Sequence, residues 1–153
     1  MKRLRKFLHL NPSDRQLLIK TFILLGLVRL GLMLLPFETL WQLLASISRA
    51  TPQPQHLEVN SDRVSTLGKI VGAVNLSSRY TPGGAKCLAR ALTTQVLMSR
   101  RGYSPELRIG VAKGKEGILE AHAWVENQGQ VVIGHLENLS HFTPLPAFGG
   151  GRL

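Results

Sequence analysis

Between Thr21 and Leu35 the chain is apolar on nearly every side of the helix that it would form, and Arg29 stands in the middle of that run. Only 8 uncharged residues separate Lys20 from Arg29, and another 8 separate Arg29 from Glu38. A membrane-spanning helix needs about 20 apolar residues, and a cation at mid-membrane is costly. A signal peptide would need an earlier apolar run and a small-residue cleavage site after it. The expectation is therefore a helix buried in a helical subdomain or docked on a partner. Membrane insertion or peripheral attachment stays as the alternative. The start is marked by Asn11-Pro12-Ser13-Asp14, a capping residue, a proline for the first turn and an acid for the positive helix end. The helix runs from about Arg15 to Leu35, where Pro36 stops it.

A second helix is predicted from Glu38 to about Arg49, carrying Leu40, Trp41, Leu43, Leu44 and Ile47. Thr51-Pro52-Gln53-Pro54-Gln55 reads as a connector. A third helix, Asp62 to about Ser77, repeats Val64, Leu67, Ile70, Val71 and Val74 at helical spacing. A loop from Ser78 to Gly84 follows. The organisation is then an N-terminal helical region (1–50), a connector (51–60) and a core (61–148), in one compact unit. At 153 residues the chain has room for one domain with a sizeable core.

The charge balance narrows the partners. Lys and Arg number 19 against 9 Asp and Glu, a net charge of +10. That excess favours an acidic peptide, protein face or membrane surface. It is not accompanied by zinc-finger spacing, a basic zipper or an aromatic RNA-binding motif, so no nucleic-acid partner is expected. The cations are spread along the chain apart from one cluster, Lys2, Arg3, Arg5 and Lys6.

Cys87 is the sole cysteine, which excludes an internal disulfide and a Cys-x-x-Cys site. Such a residue is commonly a small buried hydrophobe, so its neighbourhood decides. A helix is predicted to begin after Gly83-Gly84 and to run to about Arg101, with Gly102 as its stop. Cys87 falls in its first turn. The helix N-terminus favours a thiolate there, with Lys86 and Arg90 adding positive charge. Orphan amides of that turn also offer donors for an oxyanion.

Downstream, Leu107, Ile109 and Val111 alternate as in a strand, and a turn at Lys113 to Gly117 leads to a second strand from Ile118 to Glu126. One face of that second strand carries Leu119, Ala121, Ala123 and Val125; the other carries His122, Trp124 and Glu126. Asn127-Gln128-Gly129 forms a hairpin turn into a third strand, Gln130 to His135. A cysteine at a helix start and a histidine on a neighbouring strand suit thiol nucleophile and general base. An ordinary strand histidine has the same signature in isolation. Cys87, His122, His135 and His141 lack tight ligand spacing, so no metal and no cofactor are expected.

Cys87-Leu-Ala-Arg90-Ala-Leu, Gly102, Glu106-Leu-Arg-Ile-Gly110 and Ala121-His122-Ala-Trp124-Val-Glu126 together resemble the transglutaminase-like domain of lasso-peptide B proteins. Asn11 to Arg15 and the apolar helix after them are similar to that family's N-terminal region, so the resemblance covers about residues 5 to 146. It implies an α+β fold, with N-terminal helices packed on a small papain-like core with an antiparallel sheet. It implies a Cys-His-Asp triad that removes the leader from a ribosomally made precursor peptide. The implied partners are that precursor peptide, a small leader-recognition protein and the lasso cyclase. The chain resembles the standalone peptidase half. Cytoplasmic placement follows from the same resemblance, with contact to the inner membrane face as a further option.

The third triad member departs from that pattern. In a hairpin centred near Gln128, position 134 lies opposite His122, and the family places its acid at about this point. Here the residues are Gly134 and His135, with Glu137 and Asn138 following closely, either of which a bulge or slipped register could bring in. The expectation is that His135 orients His122, with Asn138 as the alternative brought in by a bulge or slipped register, as an amide orients histidine in papain-like proteases. Arg90 and Trp124 are candidate substrate-binding residues. Arg90 binds an acidic leader or pairs with a surface carboxylate; Trp124 packs, or forms a wall of the site.

Overall fold

A computed structural model describes residues 11–48, 61–81, 86–114 and 117–146. The connector expected at 51–60, Pro82 to Gly84 of the predicted loop, and Ala85 after it lie outside the described residues. Among the described residues, four helices precede the sheet: α1 (Pro12–Leu34), α2 (Phe37–Ser48), α3 (Ser61–Tyr80) and α4 (Cys87–Ser99). Strands β1 (Pro105–Lys113), β2 (Leu119–Asn127), β3 (Gln130–Ile133) and β4 (Thr143–Pro144) form one antiparallel sheet in the order β3-β2-β1-β4. The α+β expectation holds.

Helix α4 is the hub. It packs on β1, β2 and β3 on one side and on α1, α2 and α3 on the other. Every residue from Ala91 to Met98 is therefore buried, and its apolar positions go all the way round rather than along one stripe. The two threonine hydroxyls caught in this helix are satisfied locally: Thr93 and Thr94 donate to the carbonyls of Ala89 and Arg90, 2.8 and 2.9 Å away. Leu92, Val96 and Met98 meet Leu25 and Val28 of α1, Ile70 and Val74 of α3, and Ala123 and Val125 of β2 in one apolar cluster.

Helix ends follow the local chemistry. Pro12 occupies the first turn of α1, although the Asn11 side chain makes no capping bond; its carbonyl accepts the Arg15 amide instead. Leu35, before Pro36, is extended (φ −116°, ψ 148°), because proline forbids the helical conformation to the residue ahead of it. Gly102 closes the α4 corner at φ 73°. That corner is tied to the start of α3. Tyr103 Oη donates to the Arg63 carbonyl at 2.7 Å, and the Arg63 guanidinium sits 4.6 Å from the Tyr103 ring centre.

The β2–β3 hairpin turns on Gln128 and Gly129, at φ 53° and 77°, with Asn127 paired to Gln130. Two positive φ values in a two-residue loop are those of a type I′ turn. The register then breaks. Glu126 pairs with Val131 but Val125 pairs with Ile133, so Val132 is an extra residue on β3. The symmetric count that set position 134 opposite His122 is corrected by this bulge, and Gly134 instead lies against Ala123 and Trp124. β3 ends at Ile133 rather than at His135, because Gly134 takes φ 84° and leaves the ladder.

Candidate active site

Cys87 is the first residue of α4. The first intrahelical bond runs from the Arg90 amide to the Lys86 carbonyl at 3.2 Å. The amides of Cys87, Leu88 and Ala89 consequently have no acceptor within the helix. The cysteine is free, partly buried, and packed against the main apolar cluster.

His122 is in the middle of β2, the strand on which α4 packs. Alternation along β2 sends Ala123 and Val125 into the core shared with α4 and His122 and Trp124 to the other face. On that face the chain from Gly134 to Phe142 crosses between the edges of the sheet, from β3 to β4. Phe142 meets the His122 ring at 5.7 Å between centres, and Trp124 lies nearly parallel to it at 6.2 Å.

One contact defines the imidazole. His122 Nε2 is 2.7 Å from the Gly134 carbonyl oxygen. A carbonyl only accepts, so Nε2 carries the proton and donates. The neutral ring then keeps its lone pair on Nδ1, the atom free to take a proton. Gly134 is required for this approach. Its φ is 84°, and a Cβ would lie 2.7 Å from Ala123 O and 2.9 Å from Trp124 Cα. The orienting position is therefore filled by a main-chain oxygen rather than by the His135 or Asn138 side chain, both of which are exposed. The bulge expected to bring in one of those side chains is present, and it delivers the backbone instead.

Gly110 pairs with His122 across β1 and β2. A Cβ there would lie 2.9 Å from Trp124 Cη2 and 3.0 Å from Phe142 Cβ, so the glycine makes the slot across which the indole lies. Trp124 is 3 % exposed and donates from Nε1 to Glu126 at 2.8 Å. Glu126 also holds Arg108, which is shared with Glu106 at 2.9 Å. Trp124 is thus a buried wall beside His122.

Arg90 is likewise engaged within the fold. Its guanidinium donates to the Asn75 side-chain oxygen on α3 and ties α3 to α4. Among the described residues, Cys87 Sγ makes no hydrogen bond to the His122 ring, and no group of three or more His, Cys, Asp and Glu is arranged to hold a metal. Gly110, Gly134 and Phe142 were not anticipated as parts of the site. The two glycines had a signal, since each interrupts a run of β-formers. Phe142 had none.

An antiparallel sheet on a central helix that begins with cysteine, with a histidine on the strand beneath it, defines a papain-like α+β architecture. The transglutaminase-like superfamily matches residues 31–147, more than half of the chain, and the protein belongs to that superfamily. No curated protein and no solved structure matches it.

Proposed function

We propose that this protein is a cysteine peptidase that removes the leader from a ribosomally made precursor during lasso-peptide maturation. The observation that carries the reading is the His122–Gly134 contact, which leaves Nδ1 as the basic nitrogen of a histidine on the strand against which a cysteine-led helix packs. Membership of a superfamily built on that plan, together with the Cys-x-x-Arg-Ala-Leu and Ala-His-Ala-Trp sequences, supports it.

In this mechanism Nδ1 of His122 takes the Cys87 proton, and the thiolate attacks the last carbonyl of the leader. The amides at the start of α4 receive the oxyanion. The imidazolium returns its proton to the departing amine of the core peptide, and water then releases the leader as a carboxylic acid from the thioester. With His122 on the face of β2 turned away from α4, this transfer requires a rearrangement that brings Sγ to Nδ1. The precursor arrives on a small leader-recognition protein, and the freed amine passes to the cyclase.

A non-catalytic peptide-binding module of the same fold is the second reading. It is favoured by the absence of an Sγ–imidazole hydrogen bond among the described residues, and by a carbonyl where a carboxylate would balance the imidazolium. Mass spectrometry of the precursor, incubated with the recognition protein and either the wild type or Cys87→Ala, separates the two. Cleavage by the wild type alone establishes the thiol mechanism. Equal products from both remove Cys87 from it, and intact precursor bound by both supports the module.

A further inference from the structure

Helix α1 buries one side in the fold through Leu17, Thr21, Leu25, Val28 and Gly31. Its outer side is also apolar: Ile19, Phe22, Ile23, Leu27, Leu30 and Met33 are all exposed, from 46 % at Ile19 to 75 % at Met33. From Ile19 to Leu34 this stripe is roughly 22 Å long at 1.5 Å per residue. Lys20 and Arg29 stand about 180° apart on the helix at 3.6 residues per turn and edge the stripe on its two sides. The sole acid of α1, Asp14, is held by Lys69 of α3 at 3.0 Å, so no carboxylate belongs to the stripe. In sequence the helix is preceded by Lys2, Arg3, Arg5 and Lys6.

We propose that α1 docks through this stripe on an anionic lipid surface, lying along it with the opposite side still packed in the fold. An apolar stripe edged by cations is the pattern of helices that settle at the headgroup boundary, with Lys and Arg stems reaching outward along them. A basic cluster ahead of the helix in sequence adds the second signal that stable attachment requires. The net charge of +10 attracts the same surface. By length and composition α1 is also apolar enough to cross a bilayer. Crossing would strip Leu25 and Val28 from the cluster they share with α4, whereas lying flat leaves the fold intact. The surface is independent of the peptidase reading.

The test is co-sedimentation of the full chain with vesicles of phosphatidylcholine alone or mixed with phosphatidylglycerol, alongside light scattering without lipid. The wild type is expected to pellet with the mixed vesicles at least about tenfold more than with the neutral ones, and less as salt rises. Leu27→Glu with Leu30→Glu abolishes pelleting, while circular dichroism confirms an unchanged fold, because both side chains are exposed. Replacing Lys2, Arg3, Arg5 and Lys6 by Gln weakens it. Wild-type protein left in the supernatant with mixed vesicles overturns the proposal, as does pelleting of the Leu27/Leu30 variant at the wild-type level. A lipid-free dimer that this variant dissolves, without vesicle binding by the wild type, assigns the stripe to a second copy of the chain and also overturns it.

Discussion

The imidazole of His122 is held by the main-chain carbonyl of Gly134, with Nε2 and O 2.7 Å apart. The oxygen fixes the tautomer and aims the ring as an amide or carboxylate would. Unlike a carboxylate, it brings no negative charge to balance an imidazolium. The arrangement supplies orientation without full electrostatic support.

His122→Gln tests the base. Glutamine can still donate to the Gly134 carbonyl, but it cannot take a proton. Cleavage should fall by roughly 10³-fold or more, with the denaturation midpoint little changed. Single-turnover assays on the precursor measure the first quantity and urea titration the second.

His135→Ala combined with Asn138→Ala should leave cleavage within about twofold and stability within about 0.5 kcal/mol, since both side chains are exposed. A loss comparable with that of His122→Gln would mean that one of them moves onto the ring when substrate binds.

Gly134→Asp restores an acid at the position where the family places it, yet it should not improve catalysis. The residue must adopt φ 84°, and its Cβ would collide with the Ala123 carbonyl. Strain and overpacking together should cost about 2–4 kcal/mol. Chemical denaturation reads that loss, and cleavage should drop with the displaced carbonyl.

Trp124→Ala should destabilise the protein by about 3–5 kcal/mol, the usual cost of emptying a buried aromatic site. Trp124→Phe keeps most of the wall and loses the bond to Glu126, so about 1 kcal/mol is expected. A change in kcat without a change in KM for Trp124→Phe would show that the indole positions His122 rather than the substrate.

Arg90→Ala should cost about 1–2 kcal/mol through the lost tie to Asn75, with an unchanged KM for an acidic leader. A raised KM at constant stability would return Arg90 to the substrate.

The sequence by itself determined most of the local structure, because the forces that set it act between near neighbours. Pro12 and Pro36 bracket α1, Gly102 ends α4, and Gln128-Gly129 turns the hairpin. Period-two alternation separated Ala123 and Val125 from His122 and Trp124, and a glycine pair ahead of Cys87 marked it as the head of a helix. Boundaries moved by a few residues, as at the end of α3, which runs on to Tyr80.

What only the tertiary structure decided is the company each side chain keeps. One extra residue, Val132, shifts β3 against β2, and a shift of one moves every neighbour to a new place. No count from the hairpin centre could show it. It converts the orienting group from a side chain into the Gly134 backbone, seals Trp124 under the Gly134–Phe142 crossover, and leaves His135 in solvent. Arg90 turned to Asn75 for the same kind of reason: the helix that would meet it was not fixed by its own stretch of sequence. Residue type and spacing name the groups able to do chemistry, but the three-dimensional register selects which of them meet.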